Sequence, residues 1–514
     1  MLEHNLVLKS DELFLVGNIS TDGSGERATG LYLRDTRHLS RFFVTLNDTH
    51  PERLSARIHN ATSATVTTTN QLIRFPDGSV LHPHQVMFEQ QVSIDVGLRV
   101  TFVLQNFTRQ TLSLSLGLEF GADFRDLFDI RGFPRDRRGV ATSPRVEDRT
   151  IVLGYRGLDD HVVETAISFN RDPAVQLLPV ATEAVNREPA APDLPGALAT
   201  FEILLPPGER WELRTVVSPR PAGNRPIQTA PAIVDRVRAG RAEIVTDDPF
   251  LNRVLDRSDQ DLAALMTSFP EGALPAAGIP WFVAPFGRDS LYLGLQTLAL
   301  APTRAAGTLR VLAALQGSRI ADEQEEEPGK ILHEMRYGEM ARCHEVPHRP
   351  YYGTVDATPL FVWLFAETVA WTADDGLYHG LLPNVRRALD WVDRYGDRDG
   401  DGLVEYSTEP RRPTRITHQI WKDSFDSLND HLGQPVAGLI AAVEVQGYVY
   451  AAYMRLADVV AAYGDTAWAA ELRSKAETLR GKVEAAFWLE DEGFYAQALD
   501  GDKQPVRTIS SNPG

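Results

Sequence analysis

Two aspartates and a tryptophan lie close together in the segment HQIWKDSFDSL, residues 418–428. Asp423 and Asp426 are three residues apart, so on a helix they would share one face. Two neighbouring carboxyl groups raise the pKa of one of them, and desolvation by Trp421 would raise it further. A carboxyl group that keeps its proton near neutrality can serve as a general acid. The alternative is an aspartate that caps a helix beside a solvated neighbour.

A second segment, GIPWFVAPFGRDS at 278–290, places aromatic residues before an Arg-Asp pair at an expected helix start. An aspartate beside an arginine can accept hydrogen bonds from vicinal hydroxyls, while aromatic rings stack against the apolar face of a sugar. The alternative is that Asp289 or Ser290 only caps the helix and the arginine pairs with the aspartate. The candidate binding residues of this segment are Trp281, Phe286, Arg288 and Asp289.

A third segment, residues 328–361, crowds carboxylates, arginines and tyrosines around glycines before an expected helix near Thr354. Its Glu-Arg pairs could be a surface ion-pair network, but bulky tyrosines are rarely solvated ahead of a helix. His344 and His348 have no Cys or His partners at zinc spacing, which disfavours a zinc site. The candidate binding residues here are Glu334, Arg336, Tyr352 and Asp356.

A fourth segment, AAVEVQGYVYAA at 441–452, contains two polar residues in an otherwise apolar helical pattern. Glu444 and Gln446 would be buried there, and buried polar groups need hydrogen-bond partners. A bound polyol would supply such partners, and so would a network inside the core.

The run YGDRDGDGLVEY, residues 395–406, has the D-x-D-x-D-G spacing of a calcium-binding loop. Asp397, Asp399 and Asp401 would be the metal ligands, which predicts a structural Ca²⁺ as the one candidate cofactor. Position twelve of the loop is Thr408 rather than glutamate. A tight Asp/Gly turn between a helix and a strand explains the run equally well.

The elements that must position these residues fall into two classes. Residues 1–218 contain short segments rich in Val, Thr, Leu and Phe that alternate with period two, which predicts an antiparallel β-sandwich. Residues 219–245 are rich in proline and predict a linker or helical connection. Residues 246–514 repeat apolar residues every three or four positions, which indicates a helical domain. After a first helix that opens at Asp248-Pro249, the predicted helices are 289–300, 303–319, 354–373, 376–395, 436–463 and 465–487.

Composition limits the partners. The chain has 514 residues and a formal net charge of −18, which disfavours binding to nucleic acid or to an anionic membrane surface. Cys343 is the single cysteine, so no intrachain disulfide can form. The first residues show no signal-peptide pattern, and no apolar run is long enough to span a membrane. We therefore expect a cytoplasmic protein with a neutral ligand; the sequence does not indicate an oligomeric state.

Six motifs occur in a recognisable order: FGRDS, YYGTVDATPLF, DRDGDGLVEY, WKDSFDS, EVQGYVY and TISSNPG. Together they resemble the amylo-α-1,6-glucosidase (glycogen debranching) family, which is related to glucoamylases, trehalases and other glycosidases with (α/α)6 barrels. The N-terminal stretch FLVGNISTDGSGERATGLYLRDTRHLSRFFVTLND resembles the β domain of bacterial members. The resemblance implies an N-terminal β-sandwich, an (α/α)6 barrel, and an oligosaccharide or glucan substrate.

The resemblance also implies an inverting glycosidase, in which one carboxylic acid protonates the leaving oxygen and a second carboxylate activates water. By this likeness Asp423 is the general acid, and Arg288 and Asp289 hold the sugar at the nonreducing end. Residues expected to line the pocket by the same likeness are Asp356, Trp421, Glu444 and Gln446. Lys422 and Asp426, which flank the acid, complete the set of candidate binding residues.

One departure concerns the general base. In the family it is a glutamate carried later in the barrel than residue 514, so we expect an incomplete barrel and a base supplied from elsewhere. Glu490 and Glu492 are late acids, but they lie in an expected turn and are not favoured. Three alternatives stay open: a related barrel enzyme that acts on a small α-glycoside, an enzyme that acts by phosphorolysis, or a noncatalytic carbohydrate-binding protein.

Overall fold

The structure is a computed structural model that describes residues 6–17, 28–178, 195–221, 241–409 and 415–513. The predicted linker 219–245 lies mostly outside these ranges. The last β strand before it ends at Arg220, and the first helix after it begins at Pro249. Among the helices of the described residues, none is long and apolar enough to cross a bilayer.

The N-terminal part consists of antiparallel strands. They are β1 (Leu6–Ser10), β2 (Leu13–Gly17), β3 (Gly30–Leu33), β4 (Thr36–Leu39), β5 (Arg41–Leu46), β6 (Glu52–Asn60), β7 (Ser63–Thr69), β8 (Ile73–Arg74), β9 (Val80–Leu81), β10 (Val86–Ile94), β11 (Leu98–Asn106), β12 (Leu112–Gly121), β13 (Val140–Glu147), β14 (Thr150–Arg156), β15 (Val162–Phe169), β16 (Ala174–Leu178), β17 (Gly196–Leu205) and β18 (Arg210–Arg220).

Two of the sheets share one hydrophobic core. The larger has the strand order β13-β14-β15-β18-β11-β10-β7-β6, and the smaller has the order β16-β17-β12-β5. Strand β10 shows why the sheets pack face to face. Its residues alternate between buried and more exposed positions, so that one face of the strand lies in the core. Its Phe88 stacks on Phe102 of β11, and both belong to the same buried cluster as Phe120 of β12. This arrangement confirms the predicted antiparallel β-sandwich.

The rest of the described chain is mainly helical, with short strands in its loops. After α1 (Leu127–Arg131) of the β domain, the helices are α2 (Pro249–Leu265), α3 (Gly287–Thr297), α4 (Pro302–Ala314), α5 (Glu339–Arg342), α6 (Ala357–Thr372), α7 (Asp375–Trp391), α8 (Val443–Ala462) and α9 (Thr466–Phe487). The short strands are β19 (Met266–Phe269), β20 (Gly272–Gly278), β21 (Phe282–Pro285), β22 (Tyr406–Ser407), β23 (Leu439–Ala442), β24 (Trp488–Leu489), β25 (Phe494–Tyr495), β26 (Ala498–Leu499) and β27 (Pro505–Val506).

The helices form consecutive hairpins, α3–α4, α6–α7 and α8–α9, in which α6 packs between α3 and α8. Helix α6 is apolar around most of its circumference and largely buried, as a central helix must be. A helical domain after the β domain is confirmed, whereas an incomplete barrel stays a prediction. The predicted helix 436–463 is wrong at its start, because Leu439–Ala442 forms a strand that pairs with β22 and β26.

Candidate active site

The buried Arg288 joins two carboxylates from distant parts of the chain. Its Nη1 donates to Asp356 Oδ2 and its Nη2 donates to Asp423 Oδ2, each at 3.1 Å. The guanidinium carbon lies 5.4 Å from the centroid of the Trp421 ring, which is a cation–π distance. Burial alone would lower the pKa of Arg288, but the charges of Asp356, Asp289 and Asp423 hold it above its ordinary value. We call this group the Arg288 cluster.

The cluster lies where the inner helices α3, α6 and α8 begin. Helices α2, α7 and α9 start with a conventional cap, in which Asp248, Asp374 or Asp465 accepts a backbone N–H. Helices α3, α6 and α8 have no side-chain cap bond. The expectation that Asp289 or Ser290 caps α3 is therefore wrong. The acidic side chains at these three helix starts, Asp289, Asp356 and Glu444, can therefore bind other groups. They lie at helix N-termini, where the helix dipole stabilises negative charge.

Gly287 allows helix α3 to begin in close contact with the backbone of Leu332. A Cβ atom at Gly287 would lie only 2.0 Å from the carbonyl oxygen of Leu332. The backbone N–H of Gly287 donates to the carbonyl of His333 at 3.0 Å, which joins the helix start to the following loop. Any side chain at this position would push Arg288 away from the cluster.

The pKa of Asp423 is shifted in the direction that a general acid requires. Burial raises its pKa above the ordinary value, and the attraction of Arg288 offsets this only in part, while Asp356 raises it further. The segment around Asp423 forms turns rather than a helix, so the expected helical face shared with Asp426 is wrong. Asp426 is exposed, and the like charge that acts on Asp423 comes from Asp356.

The surroundings of Asp423 are more open than the sequence suggests. Its side chain is 41% exposed and Trp421 is 51% exposed. The desolvation of Asp423 by Trp421 that the sequence suggests is therefore incomplete. An opening at this point leaves room for a ligand to reach both the carboxyl group and the indole ring.

Glu444 is a second carboxyl group with a shifted pKa. It is 5% exposed, and its Oε1 accepts a hydrogen bond from Asn512 Nδ2 at 2.6 Å. Its Oε2 is buried and has no hydrogen-bond partner among the residues that the structure describes. Burial raises the pKa of Glu444 to about 7, and the charge of Asp356 contributes, whereas Asn512 and Lys422 oppose the shift. Glu444 can therefore exist in either protonation state near neutral pH.

Tyrosines that sequence reasoning missed line the same region. The hydroxyl groups of Tyr292 and Tyr448 are hydrogen-bonded, and Tyr292 meets the edge of Trp421 with 5.3 Å between ring centroids. The Trp363 and Tyr448 rings are stacked at 6.4 Å. Helical spacing could have found both tyrosines, because each lies four residues after Arg288 or Glu444 and so shares its helix face.

Several predicted binding residues have other tasks. The Gln446 side-chain amide bonds to both backbone groups of Val404, at 2.9 and 2.8 Å, and to the Ala442 carbonyl. The Tyr352 hydroxyl donates to the Leu315 carbonyl at 2.8 Å. Gln446 thus belongs to a hydrogen-bond network inside the core, which was the alternative to a bound polyol. Tyr352 is likewise bonded to backbone, and neither residue belongs to the Arg288 cluster.

A second group of predicted residues lies at the contact between the two domains. Arg336 is 1% exposed, and it binds Glu334, Asp35 Oδ1 of the β domain at 2.8 Å, and the Trp281 carbonyl at 2.7 Å. The Trp281 side chain packs against the cluster formed by β2, β3 and α1. Phe286 lies under Arg336, at 5.5 Å. We call this group the Arg336 cluster; it is a contact between domains rather than an open site.

Two groups of side chains in the described ranges are close enough to hold a metal ion, namely Asp159 with Glu339 and Cys343, and Asp397 with Asp399 and Glu405. In the first group the carboxylates are already paired, Glu339 with Arg135 and Asp159 with Arg342. The second group belongs to the predicted calcium loop, and calcium there stays a prediction.

A cavity of about 290 Å³ lies beside the segment that leads into Trp421. Its lining includes Glu325, Arg398, Thr417 and Gln419, and it does not include the Arg288 cluster. The carboxyl groups with shifted pKa values lie instead at the helix starts, where Asp423 and Trp421 are partly exposed. Carboxyl groups with raised pKa values, a buried arginine and aromatic rings are together the features of a candidate active site.

Comparisons with known proteins indicate the class of protein. Residues 8–216 match the N-terminal domain of (some) glycogen debranching enzymes. Residues 289–512 match the mannosylglycerate hydrolase MGH1-like glycoside hydrolase domain. Together the two matches support a glycosidase in which a part similar to the β domain of debranching enzymes precedes a part similar to a glycoside hydrolase domain. Among curated proteins, none matches the sequence.

Two solved structures share the fold across nearly the whole chain. A chain assigned as a kojibiose phosphorylase from the human microbiome has a TM-score of 0.58 and 9% identity, with 96% of this chain and 69% of that chain covered. A bacterial glucoamylase complexed with acarbose has a TM-score of 0.50 and 11% identity, with the same shares, 96% and 69%, covered. At such low identity the likeness establishes the fold alone.

Proposed function

We propose that this glycosidase hydrolyses α-glucosidic bonds in the manner of an amylo-α-1,6-glucosidase, with inversion and with Asp423 as the general acid. The observation that carries the proposal is the bridge from Arg288 to both Asp356 and Asp423. It holds the carboxyl group of Asp423 in one orientation at the opening of the site, where burial raises its pKa. A protonated, oriented and accessible carboxyl group is what a leaving glycosidic oxygen needs.

In the proposed reaction the C1–O bond breaks as Asp423 transfers its proton to the departing oxygen. A water molecule adds to C1 from the opposite face and gives its proton to a carboxylate base. In this proposal the described residues supply the acid and the groups that bind the sugar. Asp356 and Asp289 would accept hydrogen bonds from sugar hydroxyls, and the unpartnered oxygen of Glu444 would bind another hydroxyl group.

The substrate class rests on the β domain. Its match to glycogen debranching enzymes supports a branched α-glucan or an oligosaccharide derived from one. The hydrolase domain supports a second candidate, a small α-glycoside, because the matching family is described by mannosylglycerate hydrolase. The negative net charge and the single cysteine are compatible with a cytoplasmic enzyme, which stays part of the proposal.

The decisive variant is Asp423→Asn, which keeps the shape of the side chain but cannot donate a carboxyl proton. We expect kcat to fall by roughly 10²- to 10⁴-fold on a branched limit dextrin, since general acid catalysis contributes about that much. Asp426→Asn is the matched control, because Asp426 lies in the same segment but is exposed. Near-wild-type activity of Asp423→Asn would remove the assigned acid.

Two further measurements test the rest of the proposal. Proton NMR of the sugar released from an α-linked substrate should show the β-anomer first, and an α-anomer would contradict inversion. Rates on a branched dextrin and on mannosylglycerate distinguish the two substrate classes. Phosphate-dependent turnover would indicate phosphorolysis, and sugar binding by calorimetry without turnover would indicate a noncatalytic protein.

A further inference from the structure

The predicted calcium loop is folded by its own aspartates. The Asp397 carboxylate accepts hydrogen bonds from the N–H groups of Gly400 at 2.8 Å and Gly402 at 2.9 Å. Both glycines have left-handed backbones, with φ of 85° and 86°, which favour glycine. These turns gather the carboxylates of the loop on one side.

A lysine from a distant hairpin enters this group of carboxylates. Lys503 lies in the turn between β26 and β27, and its Nζ is 2.9 Å from Asp399 Oδ2 and 2.6 Å from Asp401 Oδ2. It also forms an ion pair with Glu405. The Lys503 ammonium group therefore lies among three carboxylates, those of Asp399, Asp401 and Glu405.

Glu405 is a second, independent observation that indicates a cation site. Its side chain is fully buried, and within the described part of the chain its Oε2 has no hydrogen-bond partner. A buried carboxylate with an unused oxygen is costly unless a positive charge lies next to it. Oxygen ligands of Asp397, Asp399 and Glu405 lie within 4.8 Å of one another, which is compatible with a shared cation.

We propose that this loop is a cation site whose resident cation is the Lys503 ammonium, and that Ca²⁺ takes this place when the ammonium is removed. A calcium loop of this type uses a bidentate glutamate at position twelve, and here that position is Thr408. The tethered ammonium supplies a compact positive charge with three donors instead. It thereby fixes the β26–β27 hairpin to the loop that precedes the buried Tyr406. This inference does not depend on the proposed function.

The test uses the full chain and its Lys503→Met variant, with thermal unfolding and calcium calorimetry. We expect the wild-type Tm to be insensitive to EDTA and to millimolar Ca²⁺. The variant should unfold several degrees lower, bind one Ca²⁺ per chain and regain its Tm in Ca²⁺. Lys475→Met is the matched control, since Lys475 pairs with the Asp393 carboxylate at 2.7 Å outside the loop, and it should show no response to Ca²⁺.

Two results would overturn the proposal. Stoichiometric Ca²⁺ binding by the wild-type chain, with a Tm that falls in EDTA, would make the metal the resident cation. A Lys503→Met variant that binds no Ca²⁺ would show that the loop is no cation site. If this variant folds poorly without metal, Lys503→Gln prepared in Ca²⁺ gives the same comparison. Adding Asp399→Asn should then abolish the Ca²⁺ response.

Discussion

Two buried arginines organise this molecule, and they differ in what surrounds them. Arg288 and Arg336 each bind two carboxylates, and each lies near an aromatic ring, Trp421 for the first and Phe286 for the second. The partners of Arg336 are Asp35 and Glu334, which are 4% and 5% exposed. In the Arg288 cluster, the side chain of Asp423 is 41% exposed. One cluster is closed and the other opens to solvent.

The closed and the open cluster also differ in the pKa values of their carboxyl groups. Despite burial, the nearby Arg336, His348 and His333 hold the pKa of Glu334 at about 2. At Arg288, burial raises the pKa values of Asp423 and Asp289, and the charge of the arginine offsets this only in part. The closed Arg336 cluster lowers the pKa of Glu334, and its arginine joins the helical part of the chain to Asp35 of the β domain. At the open Arg288 cluster the pKa of Asp423 is raised, which is the direction that favours acid catalysis.

The largest expected effect is on stability, at the closed cluster. Arg336→Met leaves Asp35 and Glu334 buried without their cation, so the free energy of unfolding should fall by about 3–5 kcal/mol. Arg149→Met is the control, because its pair with Asp172 is exposed and should contribute about 1 kcal/mol or less. Urea unfolding measures both variants. Equal losses in the two would contradict the assignment of Arg336 to a closed structural cluster.

The second prediction concerns pH at the open cluster. The folded-state pKa of Glu444 is raised to about 7, so ionising it opposes folding, and stability should decrease as pH rises from its unfolded pKa toward 7. The contribution is about 3 kcal/mol. Glu444→Gln removes it, while the similarly shifted Asp126 stays in both proteins. Urea midpoints of the two proteins should therefore diverge between pH 4.5 and pH 7; parallel curves would show that Glu444 is not buried in this way.

A third prediction compares the two arginines directly. Lysine keeps the charge of Arg288 but cannot reach Asp356 and Asp423 together. Losing one charged hydrogen bond of about 1.5–3 kcal/mol corresponds to a fall in kcat of roughly 10- to 100-fold for Arg288→Lys. Arg336→Lys should chiefly lower the unfolding midpoint. If the two variants lost activity and stability in the same proportion, the distinction between an open and a closed cluster would fail.

Local signals explain what could be predicted from the sequence. Alternation with period two indicated the β domain, and the Asp248-Pro249 start of α2 follows from capping chemistry alone. The Arg288 segment was recognisable because arginine, aspartate and aromatic residues occur together at a helix start. Each of these features depends on residues that are adjacent or one helical turn apart.

Long-range partners explain what could not be predicted. Arg336 resembles Arg288 in its local sequence, but its partner Asp35 lies 301 residues earlier in the chain. Glu444 and Gln446 are both polar residues in an apolar helix, and only the fold shows that Gln446 faces Val404. The helical face expected for Asp423 and Asp426 is wrong as well, because that segment forms turns in which Asp423 binds Arg288, 135 residues earlier in the chain.

The smallest expected effect concerns the exposed ring of Trp421, and it tests whether this ring contacts the substrate. Trp421→Ala should change the free energy of unfolding little, because the ring is 51% exposed. If the ring stacks on substrate, the variant should weaken binding of a maltooligosaccharide by about 1 kcal/mol, a typical value for an aromatic contact, which corresponds to a severalfold rise in Kd. Trp371→Ala is the matched control, since Trp371 is 60% exposed at the end of α6 and away from the cluster. Calorimetry should show weaker binding for the first variant alone. Unchanged binding in both would mean that the opening beside Asp423 is a solvated surface rather than the entrance to the sugar site.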